Sequence, residues 1–109
     1  MRTKIWVACA AAGAALLPAL AGAQAPTPEA TRAAQYLAAN CANCHGTTGQ
    51  AKGAMPSLAG TPKATIVEQM KAFRDGKRPG TIMPQLAKGY TDQQIELAAD
   101  YFSRQPAAR

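Results

Sequence analysis

Two stretches of the chain carry apolar residues at helical spacing. In residues 61–76 these positions are Ile66, Met70 and Phe73, and in residues 91–103 they are Ile95, Ala98, Ala99 and Phe102. Residues three or four apart share one face of an α-helix, so each set forms an apolar face. A Thr-x-x-Gln capping box at 91–94 marks the start of the later helix, and Gly76 marks the end of the earlier one. The pattern predicts two amphipathic helices.

A further helix is predicted over residues 28–40. Thr27 is in position to cap it, Pro28 suits its first turn, and good helix formers follow. Residues 46–60 and 76–89 are rich in Gly and Pro and lack a clear period, so both are predicted to be loops. The sequence contains neither an alternating strand pattern nor an internal repeat. The predicted fold class is therefore all-α.

Residues 1–23 differ from the rest of the chain. A basic start precedes an alanine-rich apolar run that ends in small residues. This order is typical of a secretory signal peptide, and cleavage is expected after Ala23. An uncleaved membrane anchor is the alternative, but Pro18 interrupts a run that is only marginally long enough to span a bilayer. Residues 24–109 are then expected to form one small domain in the periplasm, without stable membrane insertion.

The chain is basic, with 12 Lys and Arg against 6 Asp and Glu. Nucleic-acid binders are often basic, but an exported chain meets little nucleic acid and the sequence holds no recognisable nucleic-acid motif. Nucleic-acid binding is therefore not expected. An acidic protein partner suits this charge better.

The segment CANCHG, residues 41–46, holds two cysteines beside the single histidine of the chain. Cys41, Cys44 and His45 form C-x-x-C-H, the attachment signature of c-type haem. Two thiols one helical turn apart can each add to a haem vinyl group, and the adjacent imidazole then reaches the iron. A domain this small buries a thin core and usually needs such a cofactor, a metal or a disulfide.

Three other interpretations of the motif were weighed against haem. A thioredoxin-like redox pair is expected beside a βαβ pattern, which the sequence lacks. A structural disulfide between Cys41 and Cys44 would leave His45 without a role. A zinc site needs four ligands, so a carboxylate or a second chain would have to complete the set. The spacing, together with export, favours haem.

The second axial ligand of a haem iron distinguishes an electron carrier from a catalyst. The chain has no second histidine, and the methionines outside the signal peptide are Met55, Met70 and Met83. Met70 lies on the apolar face of a predicted helix and is expected in the core. Met55 and Met83 each precede a proline, which predicts an extended loop at both positions. The spacing alone leaves both as candidate ligands.

Three segments together carry a resemblance to a known family: CANCHG, MPSLAGTP and KAFRDGKRPGTIMPQLAKGYTDQQIELAADYF. They resemble class I c-type cytochromes of the cytochrome c4 and c553 group. They are also similar to the haem domains of the cytochrome subunit of flavocytochrome c sulfide dehydrogenase. The likeness covers residues 33–102 and implies a small class I cytochrome c fold, with three to five helices around one covalently bound haem. Several of these relatives carry two haem domains, whereas this chain has one.

The resemblance implies a role for each residue of the site. Cys41 and Cys44 would form the thioethers to haem c, while His45 and Met83 would be the axial ligands of its iron. The backbone carbonyl of Pro56 would accept a hydrogen bond from the free ring nitrogen of His45, which fixes the tautomer of the ligand.

The resemblance also implies how the helices pack. The first and last helices of the family fold lie against each other. Small residues near Ala34 and Ala38 are therefore expected to meet Tyr101 and Phe102.

Two axial ligands from the protein would leave no open position on the iron. The expected function is then the transfer of single electrons in the periplasm, without enzymatic activity. The protein would be a free monomeric carrier or the cytochrome subunit of a dehydrogenase such as a sulfide-oxidising flavocytochrome. The alternative is a haem enzyme or gas sensor with an open or labile distal position.

Basic residues cluster after the second helix and after the Met83 loop: Lys71, Arg74, Lys77, Arg78 and Lys88. They are expected either to steer an acidic redox partner to the haem edge or to form a solvated helix end, where cations suit the helix dipole.

Overall fold

The computed structural model describes residues 24–107, together with residues 22 and 109. This part of the chain folds into four helices and no strand: α1 (Pro28–His45), α2 (Lys63–Arg74), α3 (Met83–Ala87) and α4 (Asp92–Ser103). The predicted all-α class with three to five helices is confirmed. The predicted signal peptide, apart from residue 22, lies outside the described residues.

Helix α1 begins as predicted but ends later. The Thr27 side chain accepts a hydrogen bond from a backbone N–H in the first turn at 3.2 Å, and Pro28 is the first helical residue. The predicted end at Asn40 is wrong, because the following residues fit a helix and nothing interrupts it before Gly46, whose φ is 86°. The helix continues through His45, so the whole C-x-x-C-H motif lies on its last turns.

Helix α2 ends at the glycine that the sequence indicates. The Gly76 N–H donates to the Phe73 carbonyl at 3.2 Å, and the Lys77 N–H donates to the Ala72 carbonyl at 2.9 Å. These two bonds form a Schellman motif, which needs a left-handed residue after the helix. Gly76 has a φ of 72°, which glycine adopts without a steric penalty.

The predicted loop over residues 76–89 contains the short helix α3, and the expectation of an extended Met83 is therefore wrong. Met83 is the first residue of α3 and Pro84 is the second. Proline is tolerated there because the N–H groups of a first turn have no acceptor within the helix. Met55, by contrast, lies in irregular backbone, as predicted.

The core lies where α1, α2 and α4 meet. Its buried members are Ala38, Ile66, Ala99 and Phe102, and Tyr101 packs against them. Alanines on α1 and α4 allow the two helices to approach closely, and Phe102 fills the space beside them. The expected contact of the first and last helices is confirmed.

The irregular segment 46–60 is held against α4 at Gly49. The Gly49 carbonyl accepts hydrogen bonds from the Leu58 N–H at 2.7 Å and the Ala59 N–H at 3.1 Å. A Cβ at Gly49 would lie only 2.7 Å from Cδ1 of Phe102. The segment therefore packs on the core only with glycine at this position.

Two sets of ion pairs join α2 to α4. Near the start of α2, Lys63 Nζ lies 3.1 Å from Glu96 Oε2. At its end, Arg74 Nη1 lies 2.7 Å from Asp92 Oδ1, and Lys71 Nζ lies 3.3 Å from Asp92 Oδ2. The hydrogen bond from Arg74, and then the one from Lys71, lower the pKa of Asp92, and the same contact with Asp92 raises the pKa of Arg74.

Replacing Gly49 with alanine is expected to lower the free energy of unfolding by about 2–5 kcal/mol. About 1–2 kcal/mol comes from a left-handed residue with a Cβ, and about 1–3 kcal/mol from crowding against Phe102. Gly53→Ala is the matched control, because Gly53 has a φ of 68° but nothing within 4 Å of its Cβ. Urea unfolding followed by circular dichroism measures both variants, and equal losses would contradict the packing described for Gly49.

Asp92→Asn is expected to lower the thermal unfolding midpoint at neutral pH but not in acid. A carboxylate with a lowered folded-state pKa stabilises the fold above its unfolded pKa of about 3.9, and this contribution disappears as the pH falls through the folded value. The difference between wild type and Asp92→Asn should therefore be present at pH 7 and close below about pH 4. Glu68→Gln, which removes an acid without an ion pair among the described residues, is the control. A difference that is constant with pH would contradict this assignment.

Candidate functional site

A cavity of about 520 Å³ lies between the end of α1 and the residues of α2, α3 and α4. Its walls are mainly apolar and include Ile66, Phe73, Leu86, Ile95 and Phe102. The size is within the usual range for small-molecule and cofactor sites, about 300–1,000 Å³. In a chain of 109 residues this is a large share of the interior.

The three residues of the C-x-x-C-H motif all line this cavity. Because α1 continues through the motif, Cys41 and Cys44 lie one turn apart at the end of one helix. Cys41 is half-buried and Cys44 is exposed. Burial raises the pKa of the Cys41 thiol. His45 is buried, with 7% of its surface exposed.

A hydrogen bond joins His45 to the segment that follows α1. His45 Nδ1 lies 2.7 Å from the backbone carbonyl oxygen of Pro56. A carbonyl oxygen can only accept, so Nδ1 donates the proton, and in the neutral imidazole Nε2 is then the nitrogen with a free lone pair. An imidazole with an unprotonated nitrogen and its other nitrogen bonded to a carbonyl has the usual arrangement of a metal-ligating histidine.

Met55, Met70 and Met83 all line the cavity as well. Met70 packs against the buried core, in agreement with the sequence prediction. Met83 is half-buried at the start of α3, whereas Met55 is 42% exposed. Both candidates that the sequence left open therefore border the same space.

Arg78 is the charged side chain of this cavity, and sequence reasoning did not single it out. Among the lining residues of the described chain it alone carries a formal charge when His45 is neutral. Its guanidinium lies 4.7 Å from the ring centroid of Phe73, a cation–π contact. The sequence placed Arg78 only within a cluster of cations, because nothing in the local pattern shows which cation turns towards the cavity.

The basic cluster predicted from the sequence is divided between different contacts. Lys71 and Arg74 are both bound to Asp92. Arg78 stacks on Phe73. The cluster is therefore not one free cationic surface.

Three exposed apolar side chains also line the cavity. These residues, here called the apolar rim, are Met55, Ile82 and Leu86, with exposures of 42%, 60% and 48%. Ile82 and Leu86 lie four residues apart, and α3 brings them onto one side. Sequence reasoning missed the apolar rim because it treated this segment as loop.

The comparison with known families identifies the chain. Residues 28–102 match the sequence model of the family described as "Cytochrome C oxidase, cbb3-type, subunit III". The chain belongs to this cytochrome c family. Its cofactor is therefore a covalently bound haem c with its iron, and the alternatives of a zinc site and a thioredoxin-like pair are excluded.

Individual relatives agree with the family. The cytochrome is 40% identical over 68 residues to the cytochrome subunit of sulfide dehydrogenase of Chlorobaculum tepidum, an alignment that covers 62% of each chain. It is 38% identical to cytochrome c-554(548) of Halomonas halodenitrificans over 60% of this chain and 83% of that one. The predicted resemblance to this group is confirmed.

A solved structure supports the fold. The cytochrome c4 of Acidithiobacillus ferrooxidans matches with a TM-score of 0.63 and 31% identity, over 73% of this chain and 52% of that chain. This cytochrome therefore spans about half the length of its structural relative, and less than two thirds of the sulfide dehydrogenase subunit.

The residues of the cavity fit a haem group. The apolar walls suit the body of a porphyrin, and the unprotonated Nε2 of His45 suits its iron. Two cysteines one turn apart are placed for two thioethers. Arg78 supplies a positive charge for the carboxylates that a haem carries.

Proposed function

We propose that this cytochrome transfers single electrons through one haem c, with His45 and Met83 as the axial ligands of the iron. Cys41 and Cys44 would hold the group covalently, and the haem iron would supply the change between ferrous and ferric states. The observation that carries the proposal is the hydrogen bond of 2.7 Å between His45 Nδ1 and the Pro56 carbonyl, beside a cavity that Met83 also lines.

The role of Pro56 is to orient the histidine ligand. Its carbonyl holds the proton on Nδ1 and restrains the rotation of the ring. The imidazole therefore presents Nε2 to the iron, and the hydrogen bond increases its strength as a donor.

The position of Pro56 also favours Met83 over Met55 as the distal ligand. Nδ1 and Nε2 point in different directions from the imidazole ring, so an iron held by Nε2 would lie away from Pro56. Met55 is the residue before Pro56, with a Cα about 3.8 Å from the Cα of its neighbour. A ligand opposite His45 has to approach from the other face of the haem, and Met83 comes from a different element, α3.

With both axial positions held by protein, the cytochrome is a carrier and not an enzyme. A methionine ligand favours the ferrous state and raises the reduction potential relative to a second histidine. The mainly apolar walls of the cavity limit the access of water to the iron. A haem enzyme or gas sensor would need Met83 to leave the iron.

The proposed location is the periplasm, with residues 1–23 removed as a signal peptide and residues 24–109 forming the monohaem domain. Haem c is attached outside the cytoplasm, which agrees with export. None of the described helices is long and apolar enough to cross a membrane. The similarity to a sulfide dehydrogenase subunit supports a partner that oxidises a reduced sulfur compound, with this cytochrome as its free acceptor or bound subunit.

The proposed docking surface is the apolar rim. An electron leaves a buried haem most readily where the cavity opens, and the apolar rim lies there. A partner that covers these side chains would remove apolar surface from water, which favours association. Lys88 at the end of α3 adds positive charge near the apolar rim, so an acidic partner is preferred.

Met83→Ala is expected to remove the weak long-wavelength absorption band of iron–methionine ligation and to allow carbon monoxide to bind the ferrous haem. The variant opens one axial position, because alanine offers no ligand. Met55→Ala is the matched control and should keep the band and exclude carbon monoxide. Absorption spectra of both holoproteins, recorded with and without carbon monoxide, measure the band and the binding. Loss of the band in Met55→Ala instead would reverse the assignment, and carbon monoxide binding to the wild type would favour the enzyme or sensor.

Lys88→Gln is expected to slow the oxidation of the ferrous cytochrome by ferricyanide about twofold at low ionic strength, with less effect at high salt. The anionic oxidant stands for an acidic partner and is attracted by positive charge near the cavity. Arg32→Gln removes the same charge from the first half of α1 and should change the rate little. Stopped-flow measurements over a range of salt test this, and rates that do not depend on salt would refute the electrostatic part of the docking proposal.

A further inference from the structure

Arg74 connects the two ends of the segment that carries Met83. It is the last residue of α2, and its Nη1 lies 2.7 Å from Asp92 Oδ1 at the start of α4. The same nitrogen donates to the backbone carbonyl of Tyr90 at 3.4 Å. We call these three groups, the Arg74 guanidinium, the Tyr90 carbonyl and the Asp92 carboxylate, the clasp.

Few other hydrogen bonds attach residues 77–90 to the rest of the described chain. The N–H groups of Lys77 and Arg78 donate to the Ala72 carbonyl at the start of the segment. The remaining backbone bonds outside α3 are local to the segment, such as those from Leu86 to Ile82 and from Tyr90 to Ala87. At the far end of the segment, the hydrogen bond from Arg74 to the Tyr90 carbonyl is the one that the described residues make to the rest of the chain.

The clasp lies directly behind the wall of the cavity. Phe73, which precedes Arg74, lines the cavity, and so does Tyr90, whose carbonyl Arg74 holds. The Arg74 side chain is 26% exposed and that of Asp92 is 62% exposed, so solvent and salt partly screen this ion pair. An arginine that binds a carboxylate and a carbonyl together also fixes geometry better than a single point charge.

Resting on the proposed role of Met83 as distal ligand, we propose that Arg74 and Asp92 are positioning residues for that ligand. The clasp keeps residues 77–90 closed over the cavity and so retains the Met83 sulfur beside the iron. The segment also packs against α2, with Ala87 fully buried, but few hydrogen bonds attach it, and such a segment opens locally at lower free energy than the whole fold. Without the clasp, the segment should open before the helices unfold.

A second ion pair between the same helices provides the control. Lys63 and Glu96 join α2 to α4 at 3.1 Å, with comparable exposure of 42% and 46%, but lie away from the Met83 segment. Removing this pair weakens the contact between helices without releasing the segment. It therefore separates a positioning role from general stabilisation.

The test uses the holoproteins of Arg74→Ala, Asp92→Ala and Lys63→Ala. Each is titrated with urea. The iron–methionine absorption band reports ligation by Met83, and the far-ultraviolet circular dichroism reports helix content. In the clasp variants the band should be lost at lower urea than the helical signal, whereas in Lys63→Ala both should shift together. The apparent affinity of the ferrous form for carbon monoxide should rise about three- to tenfold in the clasp variants only.

The proposal is overturned if Arg74→Ala and Asp92→Ala lose the band and the helical signal together, with unchanged carbon monoxide affinity. If Arg74→Ala does not fold, Arg74→Lys is the substitute, because it keeps the charge but loses the paired N–H donors of the guanidinium. It should show a smaller separation between loss of the absorption band and loss of the helical signal. No separation in Arg74→Lys and Asp92→Ala would likewise refute the clasp. Survival of the band in Met83→Ala would instead refute the proposed ligand, and the clasp proposal with it.

Discussion

The hydrogen bond between His45 and Pro56 is the contact on which the site depends. It joins the last residue of α1 to the irregular segment 46–60, and so connects the motif to the part of the chain that returns to α4. It also determines which ring nitrogen remains free. Without a hydrogen-bond acceptor at Nδ1, the imidazole of His45 would not be restricted to one tautomer. The Pro56 carbonyl, eleven residues along the chain, therefore fixes the tautomer and restrains the ring orientation of the histidine in the C-x-x-C-H motif.

The packing of the protein explains why the cofactor belongs to the fold. Most buried residues of the described chain are alanines, and only Phe102 and Ile95 are large and fully buried. Beside this thin core lies an apolar cavity of about 520 Å³. Burial of a large apolar group there removes far more surface from water than the alanines do. Haem c bound in this cavity would therefore form a major part of the hydrophobic core.

Patterns that repeat along the chain could be predicted, and contacts between distant residues could not. The apolar spacing located α2 and α4, and the residues around Thr91 located the start of α4. The predicted end of α1 lies five residues before the observed one, because residues 41–45 are compatible with a helix and no breaker comes before Gly46. Helix α3 was missed because Pro84 was taken to exclude a helix at Met83, while the first turn tolerates it.

The same limit applies to the basic residues, and here it changes the functional interpretation. Five cations close in sequence predict either a docking surface or a solvated helix end, because the sequence alone does not show which acids contact them. In the structure Lys71 and Arg74 are bound to Asp92, an acid that the sequence places on another helix. Their charge is largely neutralised locally, so steering of a partner falls to the cations that remain near the cavity. Arg74 is then better understood through what it holds, the end of the Met83 segment, than through the charge it presents to a partner.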